Sequence, residues 1–277
     1  MSHHPSEPSF AADEEPSPTL AGALAGLALT EAEREEILRG IAADVRGLAV
    51  YGSRARGDHV SSSDFDLLQL SRMPHGTFKA GRASVSCYTE AQLLSASHTL
   101  FGTHLIRDAR VLYDPDGVLT GSLRALQPAD PEELLERVAR YSTILGVSPA
   151  ERADKLTGIV RLARYLTRTA VYAEAMKQGA PCFSVRELAT RFREPRLATL
   201  LASDPEITGP PTEDTLDQLE RRLEACIGPL RANPNDTLHA TALANWESDR
   251  LLATMAIRAS GDVSEDFDYS DLPKIML

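Results

Sequence analysis

The stretch that decides the fold is YGSRARGDHVSSSDFDLLQL, residues 51–70. An apolar run ends in Gly52-Ser53, ten mostly polar residues follow, and the chain returns to apolar residues directly after Asp64-Phe65-Asp66. If DFDLLQL is a strand, its alternation places both carboxylates on one face, about 6 to 7 Å apart at the backbone. Two like charges that close are unfavourable unless a cation lies between them. The stretch therefore predicts a cation site at the edge of a strand.

The residues around the two aspartates suit a phosphate as well as a cation. Hard cations such as Mg²⁺ prefer paired carboxylate oxygens and then share phosphate oxygens. Gly52 allows close approach of the backbone, and Ser53 adds a hydroxyl donor beside exposed amide groups. Arg54 and Arg56 follow and can offset the charge of a triphosphate. Together these features predict that Asp64 and Asp66 hold Mg²⁺ next to bound phosphates.

Working outward, the chain divides into four segments. Residues 1–28 form an acidic, proline-rich tail, which we predict to be disordered, and residues 263–277 form a second tail. Residues 29–124 mix a capped helix starting at Thr30, the strands GLAVYGS, DFDLLQL, ASVSCYT and RVLYD, and a helix over EAQLLSASHTLFGTHLI. Residues 128–262 are almost entirely helical in pattern. The predicted fold is α+β, a small mixed-sheet domain followed by an all-α helical bundle domain.

One helix of the second domain carries a basic stripe. In RADKLTGIVRLARYLTRTAVYAEAMKQG, the apolar residues gather on one side at 100° per residue. Arg161, Arg164 and Arg168 fall in a narrow stripe opposite, and Gly179 is placed to end the helix. The stripe is either a solvated helix face or one wall of a cleft between the domains, where it would bind phosphates or an anionic acceptor.

Composition excludes several classes of function. The 277 residues carry a net charge of −11, which disfavours a protein that coats nucleic acid or binds an anionic membrane. Three scattered cysteines show no zinc-binding spacing and indicate reduced thiols. No apolar run is long enough to span a membrane, and the start of the chain lacks a signal-peptide pattern. We therefore expect a cytoplasmic protein.

Gly-Ser, ten residues and then Asp-Phe-Asp resemble the GSx₁₀DxD signature of the minimal nucleotidyltransferases of the DNA polymerase β superfamily. The resemblance covers about residues 30–120, and the helical remainder is similar to the bundles of aminoglycoside nucleotidyltransferases. It implies that Gly52 and Ser53, with Ser63 nearby, hold the triphosphate and that the two aspartates bind Mg²⁺. A nucleoside monophosphate would then pass to an acceptor hydroxyl as pyrophosphate leaves. ATP is the default donor, because no residue pattern reads a base.

The chain departs from the resemblance at the third carboxylate, which the family usually carries on the next strand. The matching position here is Ser86, which is a poor metal ligand and no useful base at neutral pH. Three replacements stay open for the base. They are Glu90, the pair His104 and Asp108 at i and i+4 of a helix, and Glu174 from the bundle.

Several acceptors and functions also stay open. The acceptor hydroxyl belongs to a small molecule such as an aminoglycoside, to a protein, or to an RNA end, although the acidic charge disfavours nucleic acid. A second hypothesis is an antitoxin-type nucleotidyltransferase paired with a helical toxin, and a homo-oligomer is also open. A third hypothesis is a degenerate protein that binds a nucleoside triphosphate without transferring any part of it.

Overall fold

The computed structural model describes residues 19–59, 63–202 and 205–261. Most of the predicted N-terminal tail and the predicted C-terminal tail lie outside these ranges. The first half contains α1 (Leu20–Ala25), α2 (Glu31–Gly40), β1 (Val45–Tyr51), α3 (Gly52–Arg56), β2 (Phe65–Ser71), β3 (Phe78–Ala80), β4 (Ala83–Thr89), α4 (Glu90–Leu94), α5 (Leu100–Asp108), β5 (Arg110–Tyr113) and α6 (Val118–Ala125).

The second half is helical throughout its described elements. It contains α7 (Pro131–Tyr141), a 3₁₀ helix (Ser142–Leu145), α8 (Pro149–Asp154), α9 (Leu156–Lys177), α10 (Val185–Arg191), α11 (Pro195–Leu200), α12 (Pro205–Thr208), α13 (Glu213–Ile227), α14 (Leu238–Asn245) and α15 (Arg250–Ser260). Because every strand belongs to the first half, the predicted α+β class is confirmed.

The strands form one mixed five-stranded sheet in the order β3-β4-β2-β1-β5. β1 runs antiparallel to both β2 and β5, whereas β2 and β4 are parallel. The four predicted strands are confirmed as β1, β2, β4 and β5. β3 was not predicted, since three residues are too few to show a period.

Central strands of this sheet are buried on both faces. Leu48 and Leu67 belong to a core cluster on one face, under α1 and α2, while Ala49 and Leu68 belong to a cluster on the other face, under α5 and α6. A third and larger cluster surrounds α9 in the helical half. Both faces of the strands predicted from GLAVYGS and DFDLLQL are therefore buried, as in a sheet covered on both sides.

The structure corrects three predicted segments. Residues 20–28 were predicted to belong to the tail, but α1 begins at Leu20 and Leu24 is fully buried in the sheet core. The helix predicted over EAQLLSASHTLFGTHLI is two helices, because the hydroxyl of Thr99 caps a new helix, α5, which begins at Leu100. Likewise, the long helix of the second half is interrupted between α8 and α9.

A hydrogen-bond network fixes the end of β2 that carries the aspartates. Thr30 and Glu33 form the predicted capping box of α2, and Glu33 also accepts a hydrogen bond from Arg82 Nε at 2.9 Å. That bond, with the bond from the Thr30 amide, lowers the pKa of Glu33 to about 2. The carbonyl of Arg82 accepts from the Phe65 amide at 2.8 Å, so the network fixes the start of β2.

The fold also bears on the membrane prediction. Among the helices of the described residues, none combines the length and the apolar character that a bilayer crossing requires.

Candidate functional site

A cleft of about 260 Å³ lies where the end of β1 faces the long helix α9. Both halves of the molecule line it. The sheet half contributes Tyr51, Gly52, Ser53, Arg56, Asp66, Leu100, Phe101 and His104, and the helical half contributes Arg168, Tyr172 and Phe183. The structure thus brings six of the residues singled out from the sequence to one cavity.

The floor of the cleft is a close contact between backbone and carboxylate. Tyr51, the last residue of β1, pairs directly with Asp66 on β2. Gly52 then turns with φ of 73°, and a Cβ built there would lie 2.6 Å from Asp66 Oδ2. Only glycine adopts this φ readily and leaves room for the carboxylate. The Gly-Ser turn is therefore shaped around Asp66.

Asp64 lies one residue before β2 and is exposed, whereas Asp66 is half-buried. Arg54 donates to the Ser63 carbonyl from Nε at 3.1 Å and from Nη2 at 2.8 Å. Its guanidinium also lies over the Phe65 ring, 4.5 Å from the centroid. Of the described residues, Ser63, Asp64 and Arg54 fall outside the cleft lining. Arg54 therefore holds the chain that leads into Asp64.

The parallel strand β4 places serines beside the aspartates. Asp66 pairs with Ser84, and Leu68 pairs with Ser86. Both serines are buried, and alternation puts them on the same face as Asp66. The register therefore makes Ser84 the β4 residue directly opposite Asp66, with Ser86 two residues further along.

A hydrogen-bonded cluster closes one side of the cleft. His104 Nε2 lies 2.9 Å from Asp108 Oδ2, and Arg56 Nη1 lies 2.5 Å from the same oxygen. The Asp108 side chain is 1% exposed. Burial by itself would raise the pKa of Asp108. The hydrogen bonds and charges of His104 and Arg56 lower the pKa by more than burial raises it, so the net shift is downward. Arg56 therefore joins the predicted i, i+4 pair of His104 and Asp108 in one hydrogen-bonded cluster.

Aromatic rings fix the orientation of His104. Phe183 stacks on the imidazole with centroids 4.5 Å apart, and Tyr51 meets it edge-on at 5.7 Å. Phe183 was not predicted to be a cleft residue, because nothing local in the loop before α10 marks it as one. Tyr51 precedes the Gly-Ser turn and could have been included on that ground.

The three arginines of α9 do not act as one surface. Arg168 lines the cleft, is 8% exposed, and donates to the Leu201 carbonyl. Arg164 donates from Nε to the Leu200 carbonyl at 3.0 Å, so both side chains hold the end of α11. Arg161 is half-buried and, like Arg164, is outside the described lining of the cleft. Arg168 is therefore not part of a solvated stripe. Of the three arginines, Arg168 alone forms part of the cleft wall.

The donor set fits a metal ion that is shared with phosphate. Over residues 19–59, 63–202 and 205–261, no three His, Cys, Asp or Glu side chains form a group that could hold a metal ion by themselves. Mg²⁺, however, is commonly held by one or two carboxylates together with waters and substrate phosphates. Asp64 and Asp66 at the start of β2, beside a glycine turn with no Cβ, fit that second arrangement.

Comparison with known proteins adds little to this geometry. No family model matches the chain, and no curated protein matches it. A crystal structure of a nucleotidyltransferase-like protein from Exiguobacterium sibiricum 255-15 is similar with a TM-score of 0.29 and 16% sequence identity, covering 70% of this chain and 74% of that chain. So loose a superposition supports no functional inference about this chain.

Proposed function

We propose that this protein is a Mg²⁺-dependent nucleotidyltransferase. It moves a nucleoside monophosphate, AMP from ATP by default, to an acceptor hydroxyl and releases pyrophosphate. The observation that carries the proposal is the contact of Gly52 with Asp66 at the floor of a cleft, within the Gly-Ser, ten-residue, Asp-x-Asp pattern. A turn without a side chain leaves room beside the Asp66 carboxylate, so that phosphate and metal can approach it together.

In this proposal each residue of the pattern has a defined part. Asp64 and Asp66 hold Mg²⁺, which when bound neutralises charge on the nucleotide phosphates. Gly52 offers the close backbone approach and Ser53 donates its hydroxyl to a phosphate oxygen. Arg54 acts through the Ser63 carbonyl, which holds the chain that leads into Asp64. These residues bind and orient the donor.

The wall from the helical half bears on the acceptor. Its lining residues are Arg168, Tyr172 and Phe183, one cation and two aromatic rings, and no acidic residue of the described chain lines the cleft from that side. A polycationic acceptor such as an aminoglycoside would need carboxylates there. The wall instead favours an acceptor with an anionic group or an aromatic ring, because Arg168 attracts the first and the rings stack on the second.

The test is transfer of label from α-labelled nucleoside triphosphates. The purified protein is incubated with Mg²⁺ and each of the four triphosphates, with and without a cell extract, beside Asp64→Asn, Asp66→Asn and the surface control Asp44→Asn. We expect label to move with the wild type and the control, and to fall by at least about 10³-fold in the first two variants. Unchanged transfer in the cleft variants, or none by the wild type, would contradict the proposal.

One alternative has a specific observation in its favour. Ser86 on β4 stands where the resemblance implies a third carboxylate, and the β4 residue that pairs with Asp66 is also a serine, Ser84. A protein that binds nucleotide without transferring it would show triphosphate binding that requires Mg²⁺ and is lost in Asp66→Asn, but no movement of label. The same experiment, with equilibrium binding added, separates the two functions.

A further inference from the structure

We infer that His104 is the base that takes the proton from the acceptor hydroxyl, and that Asp108 is the residue that positions it. This inference rests on the proposed function, since it assigns the proton acceptor of that same reaction. The structure supports it through the lining of the cleft, the packing of the imidazole, and the buried partner of one ring nitrogen.

The lining of the cleft leaves few groups that can accept a proton near neutral pH. Of the described residues that line it, only Asp66 and His104 have such a side chain. Asp66 is packed against Gly52 at the floor, where the proposal assigns it to the metal. The side chain that remains for the acceptor is His104, on the wall between the floor and the aromatic ring of Phe183.

The imidazole of His104 is held as a base requires. Nε2 lies 2.9 Å from the buried carboxylate of Asp108, and an N–H at that nitrogen donates to it. The tautomer assigned from this partner carries its proton on Nε2 and leaves the lone pair on Nδ1. Phe183 and Tyr51 fix the plane of the ring, yet the side chain is 20% exposed and so can be reached from the cleft.

Charged and titratable groups lie around His104 on α5, α3, β1 and α9, and Cys182 precedes the Phe183 ring that stacks on it. On its own helix, Asp108 accepts from it and Arg107 lies 3.6 Å from the other Asp108 oxygen. Arg56 of α3 shares Asp108 Oδ2 and approaches Nε2 to 3.5 Å. The remaining groups are Tyr51 of β1 and, across the cleft, Arg168 and Tyr172 of α9. Arg56 and Arg107 also contact the Asp108 carboxylate. Asp108 therefore orients His104 while it is paired with both arginines as well.

The proposed step moves one proton and one nucleotidyl group. The acceptor O–H bond breaks and its proton goes to His104 Nδ1, while the acceptor oxygen forms a bond to the α-phosphorus of the triphosphate. The bond from that phosphorus to the bridging oxygen breaks, and its electron pair leaves with pyrophosphate. His104 then returns the proton to solvent and regains its lone pair.

A matched control exists in the same chain. His75 Nε2 pairs with Asp44 Oδ1 at 2.8 Å, but this pair is exposed and away from the cleft lining. We would measure single-turnover transfer from pH 5 to 9, and equilibrium binding of the triphosphate, for the wild type, His104→Gln, Asp108→Asn and His75→Gln. We expect His104→Gln to lower the transfer rate about 10²-fold or more, with triphosphate affinity changed less than about threefold.

The pH profile separates a base from a structural residue. The transfer rate of the wild type and of His75→Gln should fall on the acidic side of the pH profile, because a base that is already protonated cannot accept the proton of the acceptor hydroxyl. His104→Gln should lack this acidic limb. Asp108→Asn should lower the single-turnover rate and move the limb while the affinity for the triphosphate stays unchanged.

The failures are distinguishable from one another. If the wild type transfers label and His104→Gln keeps its rate and its acidic limb, the base assignment is wrong and the proposed function stands. If Asp108→Asn lowers only the melting temperature, with an unchanged single-turnover rate and limb, its positioning role is wrong. If the wild type transfers nothing under conditions where it binds triphosphate, the proposed function and the base assignment both fall.

Discussion

The two ends of the β1–β2 strand pair carry the same kind of side-chain pair in different surroundings. At the cleft end, His104 packs on Tyr51 and bonds to Asp108, whose side chain is 1% exposed. At the opposite end, His75 bonds to Asp44, whose side chain is 27% exposed. Exposed pairs contribute little to stability because water competes for both partners. Burial and a third partner, Arg56, turn the cleft pair into a fixed feature of the structure.

Glycines at the two ends repeat this contrast. Gly52 has a φ of 73° and lies against Asp66, whereas a Cβ built on Gly76, in the loop that contains His75, would meet no atom within 4 Å. The same residue type is therefore required at one end and replaceable at the other. Substitutions made in parallel at the two ends test this difference.

The largest effect is expected from Gly52→Ala. The new Cβ would be strained at this φ and would lie 2.6 Å from Asp66 Oδ2, so the carboxylate must move. We expect a loss of transfer of about 10²-fold or more, because small displacements of a reacting group cost that much. Strain should also lower the free energy of unfolding by about 1 to 3 kcal/mol. Gly76→Ala should leave both unchanged, and equal effects at the two glycines would break the comparison.

A smaller effect is expected on stability from Asp108→Asn. The substitution removes the charge that Arg56 and His104 share in a buried position. We expect the free energy of unfolding at pH 7 to fall by about 2 kcal/mol, as for buried hydrogen bonds to charged groups. Urea unfolding followed by circular dichroism measures this. Asp44→Asn is the control, and a midpoint shift as large as that of Asp108→Asn would show that burial does not distinguish the two pairs.

The Asp108 effect should also depend on pH. Its pKa in the folded state is lowered, net of the raising effect of burial. The carboxylate therefore stabilises the fold fully above the pKa of an unfolded aspartate, about 3.9, and this contribution is lost as pH falls through the lowered value. The difference between wild type and Asp108→Asn should be constant from about pH 7 to 5 and shrink below about pH 4. A difference that grows on acidification would contradict the assigned direction.

The smallest effect is expected from His75→Gln. It removes an exposed pair, so the transfer rate should stay within about twofold and the unfolding midpoint should not move measurably. A large loss of transfer here would show that the opposite end of the strands contributes to the site.

Local patterns account for the parts of the fold that were predicted correctly. β1 and β2 follow from short apolar runs on either side of the polar stretch from Gly52 to Asp64, and the start of α2 follows from Thr30 and Glu33, whose partners lie within one turn. The break between α4 and α5 was missed because the apolar spacing continues across it, while the deciding feature is the hydroxyl cap of Thr99. Residues 20–28 were assigned to the tail because a short apolar helix shows no strong period beside an acidic, proline-rich segment.

The sequence by itself determined the α+β class and the spacing of Gly52, Ser53, Asp64 and Asp66, because alternation, turns and caps act between neighbours along the chain. Only the tertiary structure decided that Ser84 faces Asp66, that Arg56 joins the pair of His104 and Asp108, and that Phe183 covers the imidazole. Strand register and the packing of distant helices depend on how all the apolar faces are buried together. The spacing of the two aspartates therefore follows from neighbouring residues along the chain. The surroundings of His104, in contrast, form only when the sheet and the helices pack together.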